Sequence, residues 1–211
     1  MDWSVAIVAI LGAQLLGAMT PGPSFVQVVR TAVAEGRSAG IGVALGLGLG
    51  ALVFAILALL GLREVLERAP TAYLVFRLLG GLYLVYIAWR ILRGAREPLP
   101  DALAGAARHR GLGRAVWRGF ATQMSNPKIA VVFASIFAAL MPGPAPGWVL
   151  LVLPPAILAQ ETLWNIIVAL VFSSARPRAA YARAKVWLDG AAGLVVGALG
   201  LRLIRDALLS R

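Results

Sequence analysis

From about Val5 to Val29 the chain is apolar except where Met19-Thr20-Pro21-Gly22-Pro23-Ser24-Phe25 cuts it. Two prolines within three residues remove backbone donors and crowd the preceding turn, and Gly22 adds conformational freedom. A helix entering this stretch therefore loses its hydrogen bonds partway along. Lipid cannot repair that loss. Irregular backbone at membrane depth persists only where protein covers it or where it lines a water-filled cavity, which marks Thr20, Pro21, Gly22, Pro23 and Ser24 as a candidate binding loop.

Composition decides that the setting is a membrane. Of the 211 residues, 60% are hydrophobic and the mean hydropathy is +0.84, against roughly 45 to 50% apolar content in ordinary soluble domains. A spanning helix takes about 20 apolar residues, so the chain has room for six such segments and no soluble domain. The net charge of +11 resides in the connections between apolar runs rather than on one soluble face. That distribution fits membrane topology and not nucleic-acid binding. Cysteine is absent, which excludes disulfides, thiol redox chemistry and thiolate metal sites. Met1-Asp2-Trp3 places an acid where a signal peptide carries a basic region, so the first apolar run reads as a helix that stays.

The expected architecture is an all-α polytopic membrane protein of six helices in a single membrane domain. The first runs from about Trp3 to Val29 and is broken at Pro21 to Ser24. The second runs from about Ala39 to Leu62, with Gly42, Gly46 and Gly50 at four-residue spacing, a stripe that lets another backbone approach closely. Arg63, Glu64, Glu67 and Arg68 read as a polar connection. The third helix runs from about Thr71 to Leu92 around Gly80-Gly81; its Arg77 either reaches the interface with its long side chain or serves a cavity. Residues 93–113 form the one long loop, and His109 within it reads as solvated. The fourth helix, from about Arg114 to Leu140, is broken at Ser125-Asn126-Pro127-Lys128. The fifth runs from about Trp148 to Phe172, with a double proline at Pro154-Pro155 and a polar band of Gln160, Glu161, Thr162 and Asn165. A basic link with Arg176, Arg178, Arg183 and Lys185 precedes the sixth, from about Val186 to Ile204, which carries Gly193 and Gly197. The glycine stripes suit packing within the chain or a homo-oligomer contact.

Alternate connections differ in charge. Arg30, Arg37, the long loop and the basic link hold most of the positive residues, so that side is expected in the cytoplasm and both termini outside. The halves 1–92 and 114–211 each open with a proline-broken helix and each contain three spans, so the second half is expected to sit inverted relative to the first. Corresponding breaks in inverted halves meet near the midplane. Two half-helix N-termini there, with unpaired N–H groups and partial positive charge, suit a carboxylate.

Thr20-Pro21-Gly22-Pro23, then Gly36, Arg37 and Gly40, then Leu79-Gly80-Gly81-Leu82-Tyr83-Leu84, then Asn126-Pro127-Lys128 resemble in order and spacing the LysE/RhtB family of bacterial amino-acid exporters. The resemblance spans nearly the whole chain. It implies a six-helix inner-membrane protein that exports amino acids or similar solutes on the proton-motive force, without a cofactor. Ser24 stands where the family usually has Asn or Asp, and Arg77 where Lys is common, departures that bear on the substrate.

Lys128 and Glu161 are the intramembrane charges that matter most. Facing lipid, each would cost about 2.5 to 3.5 kcal/mol, so both are expected at a cavity. At about 4 Å and an effective dielectric near 20 they attract by roughly 4 kcal/mol before desolvation, which makes them natural partners. The expected substrate site joins Thr20 to Ser24 with Asn126, Pro127, Lys128, Glu161 and Asn165. In it the loops hold a carboxylate, and Glu161 meets an ammonium or carries the coupling proton; a purely structural Lys128–Glu161 pair is the competing reading. The lone histidine in the long loop argues against serine proteolysis, and the aspartates near segment ends argue against paired-acid chemistry. Metal-ligand clusters are lacking, so no enzyme and no metal site are expected. Export of a divalent cation and a non-transporting scaffold role are the alternatives.

Overall fold

The computed structural model describes residues 2–20, 22–68, 70–95, 111–172 and 175–209. Pro21, His109, nearly all of the long loop and the chain ends lie outside the described residues, as do the side chains of Pro127, Arg77, Arg63, Arg68 and the arginines of the basic link. Eight helices and no strand occur among the described residues: α1 (Trp3–Met19), α2 (Pro23–Ala34), α3 (Arg37–Arg68), α4 (Pro70–Gly94), α5 (Leu112–Met124), α6 (Pro127–Leu140), α7 (Gly147–Phe172) and α8 (Ala175–Leu209).

Both expected breaks are present. The α1–α2 pair bends by 57° and the α5–α6 pair by 61°, and in each case the second helix restarts at a proline in its first turn, where the missing N–H would have no intrahelical partner anyway. Asp2 caps α1 by accepting from the Trp3 amide at 2.8 Å. Gly36 ends the turn after α2 with φ +94°, a conformation that a side chain would strain.

Two expected connections are helical instead. Residues Arg63 to Arg68 belong to α3 and the basic link belongs to α8. Arg63 to Arg68 and the basic link are rich in Arg, Leu, Ala and other good helix formers, and the one proline of the link, Pro177, falls in the first turn of α8, where a missing N–H costs nothing, so both stretches are helical outside the apolar runs. Pro154 and Pro155 lie inside α7, which continues through them.

Among the described residues, Arg37–Gly61 and Gly147–Phe172 are each long and apolar enough to cross a membrane, and each bent pair meets the same test when taken as one span. In lipid, packing depends on close approach more than on hiding apolar surface. The glycines supply that approach. A Cβ on Gly42 would lie 2.8 Å from the Ala115 Cβ, one on Gly50 2.7 Å from the Gln123 Cβ, and one on Gly46 would run into the Val116 carbonyl, so α3 lies directly on α5. Gly193 faces Leu92, Gly197 faces Ala88, and Gly81 meets Gly200, which brings α8 against α4.

Two apolar clusters result. One, around Ile10, Leu84, Phe137 and Leu153, joins α1, α3, α4, α6, α7 and α8. The other, around Phe25, Val28, Leu47 and Phe172, joins α2, α3, α5 and α7. An edge-on contact of Phe25 with Phe172, ring centres 5.1 Å apart, fixes the start of α2 against the end of α7.

Candidate functional site

The helix breaks and the middle of α7 enclose a cavity. Its walls include Thr20, Gly22, Pro23 and Ser24 from the first break, Asn126 and Lys128 from the second, and Glu161 and Asn165 from α7. All the expected site residues whose side chains are described therefore face one space, and residues a hundred positions apart in the chain share it. The cavity is narrow, about 20 Å³, which admits a water molecule and not an amino acid.

Hydrogen bonds tie the breaks to each other. The Ser24 hydroxyl donates to Gln123 Oε1 at 2.9 Å, and Asn126 Nδ2 approaches Ser24 Oγ at 3.5 Å. On α7, Asn165 Nδ2 donates to the Glu161 carbonyl at 2.9 Å and to Glu161 Oε1 at 3.2 Å, fixing the carboxylate in its rotamer. Gln160 Nε2 donates to the Leu11 carbonyl and Trp164 Nε1 to the Ala18 carbonyl, both at 3.0 Å. Ala18 is in the last turn of α1, where carbonyls lack intrahelical donors, so the indole satisfies a group that the break leaves open.

The two helix starts differ from the symmetrical expectation. The α6 start closes on itself: Asn126 Oδ1 accepts from the Lys128 amide at 3.1 Å, and the Asn126 carbonyl accepts from Ile129. Asn is a strong capping residue and Pro127 has no amide to offer, so the backbone N–H groups there are taken. The α2 start has Gly22 as its N-cap and no side-chain cap.

Lys128 does not pair with Glu161. Among the described residues no ion pair or hydrogen bond involves its ammonium. Instead the amine lies beside Gly22, 3.5 Å from where a Cβ would stand. The side chain thus uses the space that glycine leaves and brings a full positive charge to the partly positive end of α2. Two like charges are held together at low dielectric, a placement that an anion would relieve.

Gln123 was not singled out from the sequence. It is 0% exposed, and its Nε2 has no hydrogen-bond partner. No pattern marks one glutamine near a helix end; only its position opposite Ser24 does. Two further polar links flank the site. Arg118 on α5 holds Glu35 at the end of α2, and Lys185 on α8 pairs with Asp189 at 2.9 Å while donating to the Gly94 and Ala95 carbonyls at the end of α4. No group of three His, Cys, Asp or Glu side chains suited to a metal occurs among the described residues.

Apolar helices broken over a charged, buried cavity are the construction of a membrane translocator. The LysE type translocator family model matches residues 15–207, and the chain belongs to that family. It is similar to the threonine efflux protein of Salmonella typhi, 34% identical over 197 residues that cover 90% of this chain and 93% of that protein. The threonine efflux protein of Escherichia coli K12 is 31% identical over 194 residues, covering 90% and 93%. A leucine efflux protein of Klebsiella pneumoniae is 28% identical over 122 residues, covering 56% and 55%. No solved structure matches.

Proposed function

We propose that the protein exports amino acids across the bacterial inner membrane by alternating access, driven by the proton-motive force. The carrying observation is the unpaired Lys128 ammonium set against the start of α2, in a cavity that also holds Glu161. A substrate carboxylate placed between Lys128 and the α2 amides relieves their mutual repulsion, and Glu161 lies on the same cavity to receive the substrate ammonium or the coupling proton. Thr20, Ser24, Asn126 and Asn165 supply neutral donors and acceptors around the polar ends of such a molecule, while a proline, by its chemistry, offers no backbone donor at positions 21, 23 and 127. The names of the efflux relatives support an amino-acid substrate, with threonine the first to test.

The cavity is too small for that substrate, so binding requires the helices around it to separate, as alternating access demands. An arrangement of six spans in two inverted halves, both termini outside, fits the packing of α3 on α7 and of α4 on α8, each a helix of the first half on its counterpart in the second, beside the α3–α5 contact described above. The test is efflux of labelled L-threonine and L-leucine from proteoliposomes under an imposed proton gradient. Gradient-dependent flux is expected, with Lys128→Met losing at least about tenfold in apparent affinity, the loss of one charged hydrogen-bonding group. Absence of flux for every amino acid tried would overturn the reading in favour of a non-transporting subunit.

A further inference from the structure

The two sides of α4 meet different surroundings. Leu84, Ala88 and Ile91 are buried, and on this side Leu84 meets Gly200 and Ala88 meets Gly197 of α8. On the opposite side Val75, Leu79, Leu82, Tyr86, Trp89 and Arg93 are exposed. Their spacing alternates between four and three residues, so they form a single stripe along the helix. The stripe is chemically graded: aliphatic side chains first, then two rings that each carry one polar atom, then a charge, with the exposed Arg90 at its edge. From Leu82 to Arg93 the helix rises about 16 Å, close to the depth of the hydrocarbon in one leaflet, about 15 Å. Tyrosine and tryptophan favour the level where hydrocarbon gives way to headgroups. Trp187, exposed near the start of α8, stands at the same end of the bundle, because its neighbour Lys185 grips the last carbonyls of α4.

The charged end of the stripe is already arranged. The Tyr86 and Trp89 rings lie 6.2 Å apart, with the Arg90 guanidinium carbon 5.9 Å from the centre of the Tyr86 ring and that of Arg93 5.3 Å from the centre of the Trp89 ring. A guanidinium resting on a ring is restrained, yet its N–H edge stays available for a planar bidentate partner such as phosphate. Arg118 and Lys185 have carboxylates of their own, whereas among the described residues neither Arg90 nor Arg93 forms an ion pair. An arginine on the lipid side of a span without a counter-charge is costly, and its long side chain reaches toward the headgroups to find one.

We propose that this face of α4 binds an anionic phospholipid, with Arg90 and Arg93 on its phosphate, Tyr86 and Trp89 beside the glycerol, and Leu79 and Leu82 along an acyl chain. A second copy of the chain suits the stripe less well. Copies inserted the same way in one bilayer are related by an axis normal to it, so identical residues face each other at equal depth. Arg93 would then oppose Arg93 with no acid on the stripe to separate them, and the like charges would repel. Free phosphate would use the arginines and leave the leucines idle. Lipid binding at this face does not depend on what the protein carries, so absence of amino-acid flux in the proteoliposome assay leaves it standing.

Native mass spectrometry of the full chain in detergent tests this, with phosphatidylglycerol and phosphatidylethanolamine of identical acyl chains added in turn. Phosphatidylglycerol is expected to be retained at least about fivefold better. Arg90→Gln and Arg93→Gln are each expected to weaken its binding by about fivefold, the effect of one basic residue at an anionic surface, and the double variant to abolish the preference. The single variants carry the test should the double one not fold. Trp89→Leu keeps both charges and is expected to weaken phosphatidylglycerol severalfold, because Arg93 loses the ring that holds it. Arg114→Gln removes an exposed charge from α5 and is expected to leave the preference intact. Equal retention of the two lipids, or the same loss in Arg114→Gln as in the α4 variants, would overturn the site. Displacement of phosphatidylglycerol by inorganic phosphate at equal concentration would reduce it to an ion site, and a lipid-free dimer broken by Leu82→Arg would give the stripe to a second copy; either overturns the proposal.

Discussion

Glu35 and Arg118 are joined through both ends of their side chains, with Nη1 to Oε1 at 2.6 Å and Nη2 to Oε2 at 2.8 Å. The carboxylate side chain is 1% exposed and the guanidinium 29%. Planar fork meets planar fork, the geometry in which arginine recognises a carboxylate best. The pair ties the end of α2 to α5. These are the helices that leave one break and arrive at the other, so their relative position sets the spacing of the two breaks.

Removing one partner takes the matching charge away from the other in a place largely shielded from water. Glu35→Gln is expected to lower stability by about 3 kcal/mol, with Arg118→Met similar, and the double replacement Glu35→Gln/Arg118→Met to recover part of the loss. Thermal unfolding of the purified protein in one detergent, read as a double-mutant cycle, measures it. Additive losses would mean that the pair has no joint contribution.

Glycine substitutions separate close approach from mere abundance. Gly46→Ala directs a methyl into the Val116 carbonyl and lies 2.6 Å from the Phe120 nitrogen, where nothing flexible can yield. It is expected to reduce folded protein in the membrane severalfold. Gly12→Ala, with nothing within 4 Å, is expected to be neutral or to stabilise α1 by up to about 1 kcal/mol. Size-exclusion profiles of the two variants at equal expression decide it.

Glu161→Gln preserves shape and removes the titration. Export is expected to lose its dependence on the proton gradient while exchange of labelled for unlabelled substrate continues, because exchange needs no net proton movement. Gradient-driven efflux equal to that of the unaltered protein, with the same pH profile, would remove Glu161 from coupling.

Lys185 donates to the Gly94 carbonyl at 2.5 Å and to the Ala95 carbonyl at 3.3 Å, standing in for the intrahelical donors that the end of α4 lacks. Lys185→Met is expected to speed amide exchange over the last turn of α4 by about tenfold or more, from the loss of a charged hydrogen bond. Asp189→Asn leaves the lysine on those carbonyls and is expected to have the smaller effect. Exchange followed by mass spectrometry on peptides covering residues 85–95 reads both.

The breaks were legible because proline and glycine act on their own backbone: Pro21-Gly22-Pro23 and Asn126-Pro127 locate them to within a residue or two, whatever surrounds them. The membership of the cavity followed from cost, since Lys128 and Glu161 have nowhere else to be at membrane depth. Their mutual distance did not follow. Attraction alone made them partners, whereas Gly22 leaves room for the lysine to reach the start of α2 instead. The pairing of Glu35 with Arg118 was not legible, because a contact across 83 positions leaves no local trace. Gln123 was silent for the same reason. The helical course of Arg63 to Arg68 and of the basic link was missed because loss of hydropathy was read as loss of helix, although arginine and glutamate sustain a helix well in water.

The glycine seam between α3 and α5 also constrains how the molecule changes shape. With main chain resting on main chain at Gly46 and Gly119, no cushion of rotatable side chains separates the two rods, and shearing one along the other would drive carbonyl oxygens through peptide nitrogens. That pair travels as a single strut, and any widening around Lys128 has to come from other walls of the cavity, where α1 and α6 meet their neighbours through side chains such as Ile10, Phe133 and Phe137.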